Sequence, residues 1–231
     1  MNFELGALTK VFLLLVLFPT PPSPAAEASS PSAMLRSWLG AQTNIQSWSA
    51  DFVQTRTLKA LTQPLIATGH VWFAAPKRFR WELGQPPQTI AVRQTDEMVV
   101  IYPKLKRAER YPLTGHATGQ WRDALALLET GFPRSQAEMD AQFKVLSLSQ
   151  TNGIVELALQ PKSLQARRMM PRIMIGFATN DFALRSTELQ FADGSTMRNE
   201  FHSAQLNSPV EELTFRPKLD ADYKIVEPLR K

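Results

Sequence analysis

The side chains that could carry covalent or metal chemistry are few, and their spacing works against it. Three histidines are present, His70, His116 and His202. None lies in an H-E-x-x-H arrangement or beside another histidine, so each reads as structural before it reads as a metal ligand. Ser195 follows the turn glycine Gly194 and stands outside any G-x-S-x-G elbow, so it reads as the start of a strand rather than a nucleophile. Glu211 and Glu212 are adjacent. In a strand they point to opposite faces and cannot serve one substrate as acid and base. No phosphate loop or dinucleotide fingerprint occurs. The chain has no cysteine, which excludes disulfide frameworks, thiol nucleophiles and thiolate metal sites. No cofactor and no metal is expected, and the chain does not read as an enzyme.

What the sequence offers instead is apolar surface with a regular period. In the segment from Lys77 to Leu83, Phe79, Trp81 and Leu83 alternate with Arg78, Arg80 and Glu82. Alternate residues of a strand face opposite sides, so a row of large apolar groups backs onto a basic row. Two jobs fit such a strand. Aromatic residues can stack bases while arginines hold phosphates, or the apolar row can line a hydrophobic interior while the arginines meet water.

The first residues favour the second job. Lys10 precedes the apolar run from Val11 to Phe18, and prolines and small residues follow up to Ala28. That order describes a secretory signal peptide over 1–28, and the run is far shorter than the ~20 residues of a spanning helix. Residues 29–231 then form a single exported domain of roughly 200 residues, enough for one large core. An exported chain without disulfides suits a bacterial periplasm. Removing 1–28 takes away Lys10, Glu4 and Glu27, which raises the net charge from +5 to about +6. A basic exported protein is drawn to anionic membranes or acidic partners, and nucleic acid is not an expected partner.

The elements that must position the apolar rows are mostly strands. The start of the mature chain reads as an amphipathic helix capped by Ser30 or Ser32, with Met34, Leu35, Trp38 and Leu39 at helical spacing. The period then changes to two, and about eleven or twelve short strands follow, the last of them over 211–217. Gly69 marks a bulge or a close backbone approach. Asn152-Gly153 and Asp193-Gly194 mark hairpins. In the middle, Trp121, Leu125, Leu128 and Phe132 return at helical spacing, and a second short helical turn fits 137–143. Such a run is an antiparallel meander that curls. It either closes into a barrel or carries helices across its mouth. Ile90 with Val92, Met98 with Val100, and Ile173, Ile175 and Phe177 each share a face, and Trp121, Leu125 and Leu128 form a helical stripe. These residues are either an ordinary core or the lining of a cavity between sheet and helices.

The order of these features resembles the periplasmic outer-membrane lipoprotein carriers (LolA-type). The front helix leads into Phe52 and Gln54. Gly69 and Trp72 precede Pro76, Phe79 and Trp81, and Gln85-Pro86 follows. Asp96 opens a strand ending at Tyr102-Pro103, and Asn207 precedes Phe215-Arg216-Pro217. The resemblance spans nearly the whole mature chain. It implies a mainly β fold, an incomplete antiparallel β-barrel of about eleven strands with short helices as a lid over a hydrophobic cavity. It also implies a monomer whose client is an acylated lipoprotein or another lipid. That client is received from an inner-membrane ABC exporter and delivered to an outer-membrane receptor or membrane. The lipid-binding residues expected on this basis are Phe52, Trp72, Phe79, Trp81, Leu83, Ile90, Val92, Met98, Val100, Trp121, Leu125 and Leu128. Where the family keeps a lid-latching arginine this chain has Ala75, and the usual Asp-Gly and Leu-Trp of the next strands become Asp96-Glu97 and Val99-Val100. These departures mark a divergent member. A sensor of lipoproteins built on the same fold and a lipid-acting enzyme are the alternative readings.

Overall fold

Alternating apolar and polar residues punctuated by turn residues drive most of the chain into one sheet. The computed structural model describes residues 30–113 and 135–228. The first half of the chain comprises α1 (Pro31–Gln42), β1 (Ser47–Thr57), β2 (Leu65–Ala74), β3 (Arg78–Leu83), β4 (Thr89–Arg93), β5 (Glu97–Tyr102) and β6 (Arg107–Pro112). The second half comprises α2 (Gln136–Gln142), β7 (Phe143–Thr151), β8 (Ile154–Pro161), α3 (Leu164–Met169), β9 (Arg172–Ala178), β10 (Leu184–Gln190), β11 (Thr196–Leu206) and β12 (Lys224–Val226). Short 3₁₀ turns occupy Pro103–Leu105 and Glu212–Phe215.

The twelve strands form one sheet in the order β12-β6-β5-β4-β3-β2-β1-β11-β10-β9-β8-β7. Strands that neighbour each other in the sheet pair antiparallel, except β12, which runs parallel to β6, and β1 joins the two halves through β11. The sheet does not close, so it is an open half-barrel with β7 and β12 at its edges. This is the mainly β, unclosed architecture that the resemblance implies. The Asn152-Gly153 turn has φ of 51° and 74°, the left-handed pair that a two-residue hairpin needs. At the second turn, Asp193 Oδ1 accepts from the Ser195 N–H at 2.9 Å.

α1 begins where Ser30 Oγ accepts from the Ala33 N–H at 3.2 Å, with Pro31 in the first turn. Its buried side chains are Leu35, Trp38, Leu39 and Gln42. The helix lies on β7 and β8. Trp38 stacks on Phe177 of β9, with centroids 4.7 Å apart and planes 10° from parallel. Leu157, Leu159, Ile173 and Ile175 complete this part of the core. The helical stripe of Trp121, Leu125 and Leu128 lies outside the described residues.

Three features depart from the sequence reading. α3 and β12 were not legible as elements. The segment 211–217 reads as a strand but contains the 3₁₀ turn Glu212–Phe215. Two of its carbonyls are bonded to side chains rather than to a neighbouring strand: Thr214 O accepts from Arg80 Nη1 at 3.3 Å and Phe215 O accepts from Gln94 Nε2 at 3.0 Å. Phe215 is fully buried, and the Arg78 guanidinium sits 5.1 Å from its ring centroid. Phe215→Ala should cost about 3–5 kcal/mol, the range for a buried phenylalanine. A thermal melt should show Tm lower by roughly 6–20 °C for a domain of this size. A variant that melts like the wild type would show that this segment does not hold the sheet.

Candidate functional site

Strand register decides which of the expected residues can meet. Reading across β1 to β6, one row runs Ala50, Val71, Trp81, Ala91, Val100 and Glu109. A parallel row runs Trp48, Phe73, Phe79, Arg93, Met98 and Tyr111. These rows share the inner face with Phe52 and Leu83, which flank Gly69. Phe52, Phe79, Trp81, Leu83, Met98 and Val100 are therefore brought together on one surface. The Phe52 and Trp81 rings lie 4.0 Å apart, and Phe201 of β11 meets both edge-on at 6.3 and 6.4 Å. Gly69 makes this possible. A Cβ there would stand 2.2 Å from the Phe52 ring and from the Glu82 carbonyl, so no other residue leaves room for the ring.

Trp72, Ile90 and Val92 do not join them. Trp72 pairs with Arg80 and Arg80 with Val92, while Ile90 pairs with Ile101. That parity sets all three on the outer face. There Val99, Ile101 and Ala108 form a second buried cluster with Ile90, Leu219 and Tyr223 packed on it. A shared strand face was read correctly within β4, but the face belongs to the other side of the sheet. The outer arginines are also not open to water as the alternation suggested. Arg78 pairs with Glu212, and Arg80 binds Glu82 at 2.6 Å. Outer His70 is bonded through Nδ1 to Asp51 Oδ1 at 2.7 Å, in keeping with a structural role. Trp121, Leu125, Leu128 and His116 fall outside the described residues.

Ala75 sits in the β2–β3 turn, where its N–H donates to Gln46 O at 2.8 Å. Its methyl has nothing to donate, so a side-chain latch cannot operate from this position. α1 is held by packing instead. Trp38 Nε1 is buried with no hydrogen-bond acceptor among the described residues.

Sequence reasoning missed the polar groups on the same face. Tyr111 Oη donates to Glu109 Oε2 at 2.6 Å, and Arg107 Nη2 pairs with Glu109 Oε1 at 2.6 Å. Burial, then the hydrogen bond and charge of Glu109, push the Tyr111 hydroxyl far above the usual tyrosine range. Burial and Glu109 raise Tyr102 as well, and burial lowers Arg93. Gln54 Nε2 donates to Asn199 Oδ1 at 3.0 Å, and Asn199 Nδ2 to Thr187 Oγ1 at 3.1 Å, a polar ladder across β1, β11 and β10. The alternation of Arg107, Glu109 and Tyr111 in the sequence was the available signal, but only the β5–β6 register shows that their shared face is the inner one.

A cavity of about 230 Å³ lies between α1 and the start of α2, lined by Arg36, Leu39, Gly40, Ser135 and Gln136. It is below the ~300–1,000 Å³ of typical small-molecule sites and away from the aromatic face. Among the described residues no group of three acidic, histidine or cysteine side chains could hold a metal. No helix among them is long and apolar enough to cross a membrane.

Two outcomes check this geometry. Trp38→Phe keeps a ring on Phe177, so calorimetry should show a much smaller loss than the about 3–5 kcal/mol expected for Trp38→Ala. Tyr111 is held protonated in the fold, so its contribution to stability is present below pH ~10 and is lost as pH rises through the raised value. Glu109→Gln should bring the phenol's ultraviolet titration back toward the ordinary range. An unchanged titration would show that the carboxylate is not the cause.

The family model of the outer membrane lipoprotein carrier protein LolA matches residues 43–218. No curated protein sequence matches the chain. Among solved structures, an uncharacterised conserved protein from Thermus thermophilus aligns at TM-score 0.50 and 9% identity, over 85% of this chain and 99% of that one. A LolA superfamily protein from Nitrosomonas europaea aligns at 0.41 and 9%, over 82% and 99%. The MucA/MucB complex from Pseudomonas aeruginosa aligns at 0.44 and 15%, over 85% and 63%. With the half-barrel, the covering helix and the aromatic inner face in place, the match over most of its length shows that this chain belongs to the LolA outer-membrane lipoprotein carrier family.

Proposed function

We propose that the protein is a periplasmic carrier that holds the acyl chains of a lipoprotein, or of a related lipid, against the inner face of the sheet. The observation that carries this reading is the continuous apolar surface of Phe52, Trp81 and Phe201 joined to Phe79, Met98 and Val100, in a chain of the carrier family. Acyl chains gain roughly 0.8 kcal/mol per CH₂ removed from water, so transit between membranes requires a cover. The same gain must be given back on delivery, which favours a site closed by separable packing over a sealed core. The inner face is already filled by its own side chains. Room for a chain comes from displacing what covers it. Binding and release need no covalent step, and the inner-face polar groups have structural partners rather than a catalytic arrangement. The client is received from an inner-membrane ABC exporter and passed to an outer-membrane receptor or membrane.

The protein purified from the periplasm should carry extractable lipid, visible by native mass spectrometry. A fluorescent fatty acid should bind the delipidated protein, and Phe79→Glu should lower its affinity by at least about tenfold, since a carboxylate is placed where apolar chain must lie. Failure to bind any acylated probe would overturn the reading. Recovery of a signalling protein with no exporter in pull-downs would favour the sensor alternative.

A further inference from the structure

Five of the ten large apolar side chains exposed among the described residues lie at one end of the sheet, in its turns and at the ends of its elements: Leu61 45%, Leu65 50%, Ile66 67%, Leu105 70% and Leu164 56%. The register puts these loops together. Thr57 at the end of β1 pairs with Thr196, and Leu83 pairs with Thr89. Tyr102 pairs with Arg107, and Phe143 pairs with Pro161. The β1–β2 hairpin, the β5–β6 turn and the segment with α3 therefore sit at the same ends of their strands. The β1–β2 hairpin projects furthest. β3 stops at Leu83 opposite Gly69, and Leu65 to Thr68 continue past it with β1 alone as a strand partner.

Each apolar tip is set in basic sequence. No acidic residue occurs between Asp51 and Glu82, a stretch that holds Arg56 and Lys59 around Leu61 and Ile66. Lys104 and Lys106 flank Leu105, with no acid between Glu97 and Glu109. Leu164 is followed by Arg167 and Arg168, with no acid between Glu156 and Asp181. Acidic groups from other loops answer some of these charges. Asp193 acts on Lys59, and Asp220 and Asp222 pair with Lys106. Arg56, Lys104, Arg167 and Arg168 have no ion pair among the described residues.

The geometry points to a membrane-docking end: the tips bearing Leu61, Ile66, Leu105 and Leu164 enter the headgroup region of an anionic phospholipid bilayer, while the cations around them hold the surface. Exposed apolar side chains ringed by lysine and arginine fit that interface, because burial and surface charge act together there. A protein partner would need a matching acidic and apolar patch, whereas an anionic bilayer supplies both along its whole surface. The inference goes beyond the carrier reading, since it concerns where the protein touches a membrane and not what it holds.

The test is co-sedimentation of residues 29–231 with vesicles of phosphatidylglycerol and phosphatidylcholine, against phosphatidylcholine alone, at about 0.1 M salt. The wild type should bind the anionic vesicles and lose binding as salt rises. Leu61→Ser with Ile66→Ser should lower partitioning at least about tenfold, and Arg167→Gln with Arg168→Gln should lower it several-fold and flatten the salt dependence. Leu61, Ile66 and Arg168 are exposed and Arg167 is half-buried, and an unchanged melting curve verifies the fold. Uptake of a fluorescent fatty acid in vesicle-free solution should survive these substitutions, while Phe79→Glu should lose that uptake and keep vesicle binding. Equal binding to neutral vesicles, no binding to anionic ones, or tip variants that partition like the wild type would each overturn the proposal. Loss of binding to a partner protein with vesicle binding intact would do the same.

Discussion

Strands β3 to β5 must be covered on both faces, and much of the rest of the structure answers that need. Their inner face carries Phe79, Trp81, Met98 and Val100, and their outer face carries Val92, Val99 and Ile101. A half-buried antiparallel strand can leave one side in water, but these strands cannot. The C-terminal segment supplies the outer cover. It lays Phe215 against Arg78, takes hydrogen bonds from Arg80 and Gln94, and ends by pairing β12 with β6. The basic row that looks solvent-facing in the sequence is thus the seat of the chain's own tail.

The inner face is less settled chemically. On the β8–β10 side it is an ordinary core under α1, centred on the Trp38–Phe177 stack. On the β3–β6 side the apolar rows end in a buried carboxylate, two tyrosines and an arginine. A surface that is aromatic in the middle and polar at one margin orients an amphiphile, because an acyl chain gains from the first and a headgroup from the second. The two edges differ. β12 is only three residues long, whereas β7 is nine residues long and largely exposed, with helices α1 and α2 packed near it.

Much of the fold was legible because local signals agreed. Ser30 and Pro31 open the helix that the Leu35, Trp38 and Leu39 spacing requires, and Asn152-Gly153 turns where the alternation is interrupted. Gly69 marked a close approach, and the approaching group is the Phe52 ring. The departures have three causes. Period two tells which residues share a face of a strand, and nothing local tells which face is the inner one. Ile90 and Val92 share a face with each other and not with Phe79. The segment around Phe215 alternates like a strand, yet two of its carbonyls find side-chain donors instead of a ladder. β12 and α3, three and six residues long, are too short to leave a period.

By itself the sequence determined the class of the molecule: a long antiparallel sheet, a capped front helix, no cysteine chemistry, and an aromatic row backed by arginines. Alternation, capping and turn residues act over a few positions, and a few positions are enough to read them. Tertiary structure decided which apolar row faces inward, that the arginines are occupied by Glu212, Glu82 and Thr214, and that Glu109 and Tyr111 belong to the same face as Trp81. It also gathered the exposed leucines and their cations at one end of the strands. Those outcomes depend on strand register and on contacts between residues more than a hundred positions apart, such as Arg78 with Glu212, and no local pattern encodes them.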